Sequence, residues 1–87
     1  MDLQDLRKEI DGIDDELVRL FCQRMDVAAK VADYKKEHNL PIAHPGREQE
    51  VLQKVTAMGS VELSDYIRVL YSTIFDLSRD YQHKRNG

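Results

Sequence analysis

The sequence predicts an all-α fold of three helices per chain, one of them very long. Two observations carry that expectation. Leu3, Leu6, Ile10, Ile13, Leu17, Leu20, Arg24, Val27, Val31 and Tyr34 follow a strict three-then-four spacing, the seam of a helix packed lengthwise against others. Breakers are few, with 4 Gly and 2 Pro among 87 residues. A composition of 41% hydrophobic and 33% charged residues suits amphipathic helices rather than a disordered chain.

The first helix is expected over about residues 3–38. Asp2 and Asp5 stand at its positive end, and His38-Asn39-Leu40-Pro41 stops it, because Asn tolerates the left-handed cap and Pro forbids continuation. Gly12 falls at an outward position, where it costs only about 1 kcal/mol. The second helix is expected over 45–58, opened by Pro45 and closed by Gly59, with Val51, Leu52, Val55 and Met58 at helical spacing. The third is expected over 62–83, with Leu63, Tyr66, Ile67, Leu70, Tyr71, Ile74, Leu77 and Tyr81 on one broad face. The polar tail from His83 to Gly87 is expected to fray. No repeat or linker divides the chain, so residues 1–87 read as a single domain.

The first helix is too long for its own domain. Thirty-odd residues span roughly 50 Å at about 1.5 Å each, whereas a compact chain of this size is roughly 30 Å across. Two shorter helices cannot cover such a seam, and an intertwined homodimer is the economical answer.

A net charge of −3 argues against nucleic acid, which wants a basic face. No apolar run approaches the roughly 20 residues of a membrane span. The start Met1-Asp2-Leu3-Gln4-Asp5 lacks the basic and apolar segments of a secretory signal. One cysteine, Cys22, is at an outward position and reads as inert, which fits a reducing cytoplasm.

Against that background Arg24 is out of place. Nine of the ten seam positions are apolar or aromatic and the tenth carries a guanidinium. Arg is rarely buried without a partner, and no acidic residue shares the seam. The anion it needs belongs to another segment, another chain or a ligand. Lys35 follows eleven residues later, nearly in phase and about 16 Å along the axis, so the two cations can reach toward one small anion. Arg7 precedes Arg24 by roughly 25 Å and can serve only a partner's ligand in an antiparallel dimer. On the second helix Arg47 and Glu48 line the inner face near free backbone N–H groups. On the third, Ser78 and Gln82 bring a hydroxyl and an amide near the apolar stripe. Singly, each has a plain reading. Arg7 and Lys35 could be solvated flanks, Arg47 and Glu48 first-turn charges, His44 a cap rather than a metal ligand, and Arg24 half of a structural ion pair. The four tyrosines read as core and interface. No nucleophile–base pair, metal cluster or glycine-rich phosphate loop appears. Several cations with Ser, Gln and one Glu suit a small dianion, held for a pericyclic or elimination reaction that needs no covalent help.

The run from Leu6 through Asp14, the segment Leu17–Arg24, Tyr34-Lys35-Lys36, Pro41-Ile42, Arg47-Glu48-Gln49-Glu50 and the closing Ile74–Gln82 together resemble the all-helical (AroQ-type) chorismate mutases. The likeness covers nearly the whole chain in order. It implies an intertwined helical homodimer with two equivalent sites, no cofactor and no metal. The activity implied is a Claisen rearrangement of chorismate to prephenate in aromatic amino acid biosynthesis. By that similarity Arg24, and Arg7 from the other protomer, bind the substrate carboxylates, and Lys35 and Gln82 flank the ether oxygen. Glu48 holds the ring hydroxyl with help from the His44 backbone, and Ser78 and Arg47 support the carboxylate network. One position departs: the family usually has an acidic residue where this chain reads His44-Pro45-Gly46. The rival readings are an isochorismate pyruvate lyase on the same fold and a non-catalytic helical dimerisation or regulatory module.

Overall fold

A computed structural model describes residues Met1–Gly87 as three α-helices and no strand. The first, α1 (Leu3–Glu37), opens on a reciprocal cap: Asp5 N–H donates to the Asp2 carboxylate at 2.9 Å and Asp2 N–H to the Asp5 carboxylate at 3.3 Å. It closes on a Schellman turn. Leu40 N–H donates to the Lys35 carbonyl at 2.8 Å and Asn39 N–H to the Lys36 carbonyl at 3.4 Å, with Asn39 in the left-handed region at φ 55°. Pro41 then prevents any return to helix.

His44 caps α2 (Pro45–Met58), its Nδ1 accepting from the Arg47 N–H at 2.9 Å. The capping oxygen usual at this position is thus replaced by a ring nitrogen. At the far end Gly59 leaves the helix with extended backbone, and a Cβ there would run into the tip of Ile67. A single 3-10 turn, Val61–Leu63, leads into α3 (Ser64–Asn86). No helix is long and apolar enough to cross a membrane.

The helix α3 packs on both α2 and the C-terminal half of α1. Its seat on α1 is not the seam. Ala28, Ala29 and Ala32 are the buried residues of α1, while Val27 and Val31 remain 52% and 39% exposed. Because alanine leaves the backbone uncovered, α3 side chains reach α1 carbonyls: Gln82 donates to Ala28 and Asn86 to Ala32, both at 2.9 Å. Arg85 adds a two-pronged ion pair with Asp33 at 2.8 and 2.9 Å. The expected fraying of the tail is therefore corrected, since these contacts carry α3 to Asn86. The broad face expected of the third helix also splits. Ile67, Tyr71, Ile74 and the buried Phe75 turn inward, whereas Tyr66, Leu70, Leu77 and Tyr81 stay exposed.

The molecule measures 54 × 25 × 15 Å with a radius of gyration of 16.0 Å, against about 12 Å for a compact chain of this length. Every residue from Met1 to Leu20 is exposed, so the apolar seam there has no cover within the chain.

Two outcomes test these contacts. Removing the α2 cap with His44→Ala should lower stability by about 1 kcal/mol, and His44→Asp should retain it, as read from denaturant midpoints. The Arg85 guanidinium, chiefly through its hydrogen bond, holds the Asp33 carboxyl below its ordinary value of 3.8. A depressed carboxylate pKa stabilises the fold above the unfolded value and ceases to do so as pH falls through the folded one. The small melting-temperature gap between wild type and Asp33→Asn should thus be full at neutral pH and close progressively below about pH 4.

Candidate active site

The crossing of α1 and α3 leaves a cleft of about 360 Å³ closed at one end by α2 and its leading loop. From α1 come Arg24, Val27, Ala28, Val31 and Lys35; from the loop, Ile42 and His44; from α2, Arg47, Glu48 and Val51; from α3, Phe75, Ser78, Arg79 and Gln82. Arg24, Lys35, His44, Arg47, Glu48, Ser78 and Gln82, all singled out from the sequence, are thereby brought together. Arg7 is not: it lies on the exposed half of α1, outside the cleft.

Arg24 and Lys35 face the cleft because they sit where two stripes of α1 overlap. At 100° per residue they fall between the seam (Val27, Val31) and the α3-facing stripe (Ala28, Ala32). Arg24 is half-buried, with its Cζ 6.0 Å from the Tyr71 ring centre and 5.9 Å from that of Phe75. Such cation–π contact holds a guanidinium without neutralising it. No carboxylate of the chain pairs with it, so no other segment of the chain supplies the anion of a structural ion pair. Lys35 donates from Nζ to the Ile42 carbonyl at 2.7 Å. That contact ties the loop to the cleft and leaves two ammonium protons for other acceptors. Gln82 is 7% exposed and gives one amide proton to Ala28, which leaves a second proton and the amide oxygen.

The second helix presents its charges differently from expectation. Arg47 does not turn fully inward: its side chain is 69% exposed and pairs with Glu50 at 3.4 Å. Glu48 is the inward member, and its carboxylate is held by Arg79, whose Nη1 lies 2.5 Å from both oxygens. A further bond from Arg79 reaches Asp76. The Glu48 carboxylate, above all through its hydrogen bond, raises the Arg79 guanidinium further above its usual range. The sequence reading misses Arg79, which stands between Ser78 and Asp80. The available signal was its spacing of three from Gln82, which puts both on one face.

Four cations and one carboxylate thus line the cleft. Once Glu48 is spent on Arg79, Arg24 and Lys35 remain without acidic partners. Two uncompensated cations beside an amide and a hydroxyl have the chemistry to bind a small polyanion. No three His, Cys, Asp or Glu side chains cluster as metal ligands would.

The sequence is 44% identical over 54 residues to a bifunctional chorismate mutase/prephenate dehydratase of Aquifex aeolicus, covering 62% of this chain and 15% of that protein. It is 47% identical over 51 residues to the T-protein of Haemophilus influenzae, covering 59% and 14%. It is also 39% identical over 46 residues to a 4-amino-4-deoxychorismate mutase of Streptomyces venezuelae, covering 53% and 45%. The matched stretch is thus about a seventh of the first two relatives and under half of the third. No solved structure matches the chain at a significant level. The family model of chorismate mutase type II matches residues 6–83, a span that takes in most of all three helices, and the chain belongs to that family.

Proposed function

We propose that this chain rearranges chorismate to prephenate as an intertwined homodimer, in a reducing cytoplasm that its single exposed cysteine suits. The observation that carries the reading is the Arg24–Lys35 pair, two cations with no acidic partner in a cleft that also holds Gln82 and Ser78. Arg24 grips one substrate carboxylate and Arg7 of a second copy grips the other. Arg7 stands roughly 25 Å from its own chain's cleft along a rigid helix and cannot serve it from there.

The second copy has a physical motive. Leu6, Ile10, Ile13, Leu17 and Leu20 are each about half exposed, and covering them contributes roughly 1 kcal/mol apiece. Surface ion pairs contribute less than that, so the apolar seam drives association.

Within the cleft the substrate is held with its enolpyruvyl arm folded over the ring. The ether C–O bond breaks as a C–C bond forms between arm and ring, and no proton is transferred. Negative charge gathers on the ether oxygen in the transition state. The Lys35 ammonium and the Gln82 amide, each with a donor to spare, stabilise it there. Glu48 accepts from the ring hydroxyl. A carboxylate already neutralised by Arg79 suits a hydroxyl better than the amino group that the Streptomyces relative's name specifies.

Purified protein should consume chorismate, read as loss of its ultraviolet absorbance, and form prephenate. Pyruvate release from isochorismate without chorismate loss would instead favour the lyase, and turnover of neither a non-catalytic module. Arg7→Ala and Arg24→Ala homodimers should each lose nearly all activity. Mixing the two should restore one working site per dimer, and no recovery despite verified subunit exchange would refute the cross-protomer assignment.

A further inference from the structure

We infer that Arg79 is a positioning residue of this site, fixing and neutralising Glu48 so that the cleft selects a neutral hydroxyl on the substrate ring. The inference rests on the rearrangement proposed above and extends it to a residue outside the substrate-binding set.

Glu48 is carried by α2, a helix with no buried residue, and its long side chain has nothing on its own helix to hold it. The restraint comes from α3, thirty-one residues away, where Arg79 Nη1 meets both carboxylate oxygens at 2.5 Å. Asp76, one turn earlier on α3, takes the other guanidinium nitrogen. Arg79 is therefore anchored from behind and does not swing forward as a further ligand for substrate carboxylates. The pair is also better sheltered than its neighbour. The Arg79 and Glu48 side chains are 32% and 28% exposed, whereas those of Arg47 and Glu50 are 69% and 71%. An exposed pair fixes little geometry, and a half-buried, multiply bonded one fixes more.

Neutralisation has a chemical consequence. Arg79 occupies one lone pair on each Glu48 oxygen, which leaves others able to accept from a hydroxyl. A hydroxyl needs only such an acceptor. An ammonium draws much of its attraction from net negative charge, which Arg79 offsets at Glu48, while the charge of Asp76, 73% exposed, is screened by solvent. The Glu48–Arg79 pair accordingly favours hydroxyl over amino at the ring carbon it faces.

The test compares wild type, Arg79→Met, Arg79→Lys, Glu48→Gln and the Arg79→Met/Glu48→Gln double variant on chorismate and on its 4-amino analogue. Wild-type turnover of chorismate checks the underlying reading by itself, so failure there is distinguishable from failure here. Arg79→Met should lower kcat/KM on chorismate about 10- to 100-fold, the range for losing a charge-assisted hydrogen bond. Arg79→Lys should recover part of that loss. The ratio of amino-analogue to chorismate turnover should rise in Arg79→Met, a change that a purely structural role would not produce. In the Glu48→Gln background Arg79→Met should have little further effect. Full additivity of the two losses, or an unchanged substrate ratio, would overturn the inference. Should Arg79→Met melt below the assay temperature, Arg79→Gln carries the same cycle.

Discussion

The close approach of α3 to α1 at Ala28, Ala29 and Ala32 sets the height and angle of everything else. Three small side chains let one helix settle on the backbone of the other, near enough for Gln82 and Asn86 to bond α1 carbonyls. Arg24 lies one turn before Ala28 and Lys35 one turn after Ala32, so the same contact places both cations at the rim of the crossing. The Arg85–Asp33 pair closes the far end. A bulky residue at Ala28 or Ala32 would lift α3 away and separate Gln82 from Arg24 and Lys35.

The cleft is cationic because its charges are unequally matched. Glu48 and Asp76 satisfy Arg79, and Glu50 meets Arg47 in solvent. Arg24 rests against two aromatic rings, which hold the guanidinium and leave its charge in place. The site therefore keeps its attraction for an anion while its one carboxylate is neutralised, a division of labour that suits conformational restraint without covalent chemistry. The same chain leaves half of α1 uncovered. The exposed seam and the stranded Arg7 are two consequences of one length mismatch, and the proposed homodimer rests on both.

Much of this was legible in residue types and spacing. The breakers at Asn39-Leu40-Pro41, Pro45 and Gly59 fall at the ends of the helices because their backbone preferences are local. His44 looked like a departure, yet its ring nitrogen occupies the acceptor position that an acidic side chain would fill at a helix start. Seven of the residues expected at the site share one cleft. Arg47 and Arg79, however, could not be ranked. Both are arginines near polar neighbours, and which one holds Glu48 depends on how α2 crosses α3.

What the sequence alone determined was therefore what repeats within a helical turn or two: helix limits, caps, an apolar seam interrupted by Arg24, and a rise per residue that puts Arg7 out of its own cleft's reach. The tertiary structure decided which stripe of α1 meets α3, that the tail is clasped rather than loose, and which guanidinium is spent on a carboxylate. Those outcomes involve partners 31 to 54 residues apart. Side chains so distant in sequence are brought together by the packing of whole helices, and that packing turns on three alanines that carry no charge and little apolar bulk to announce them.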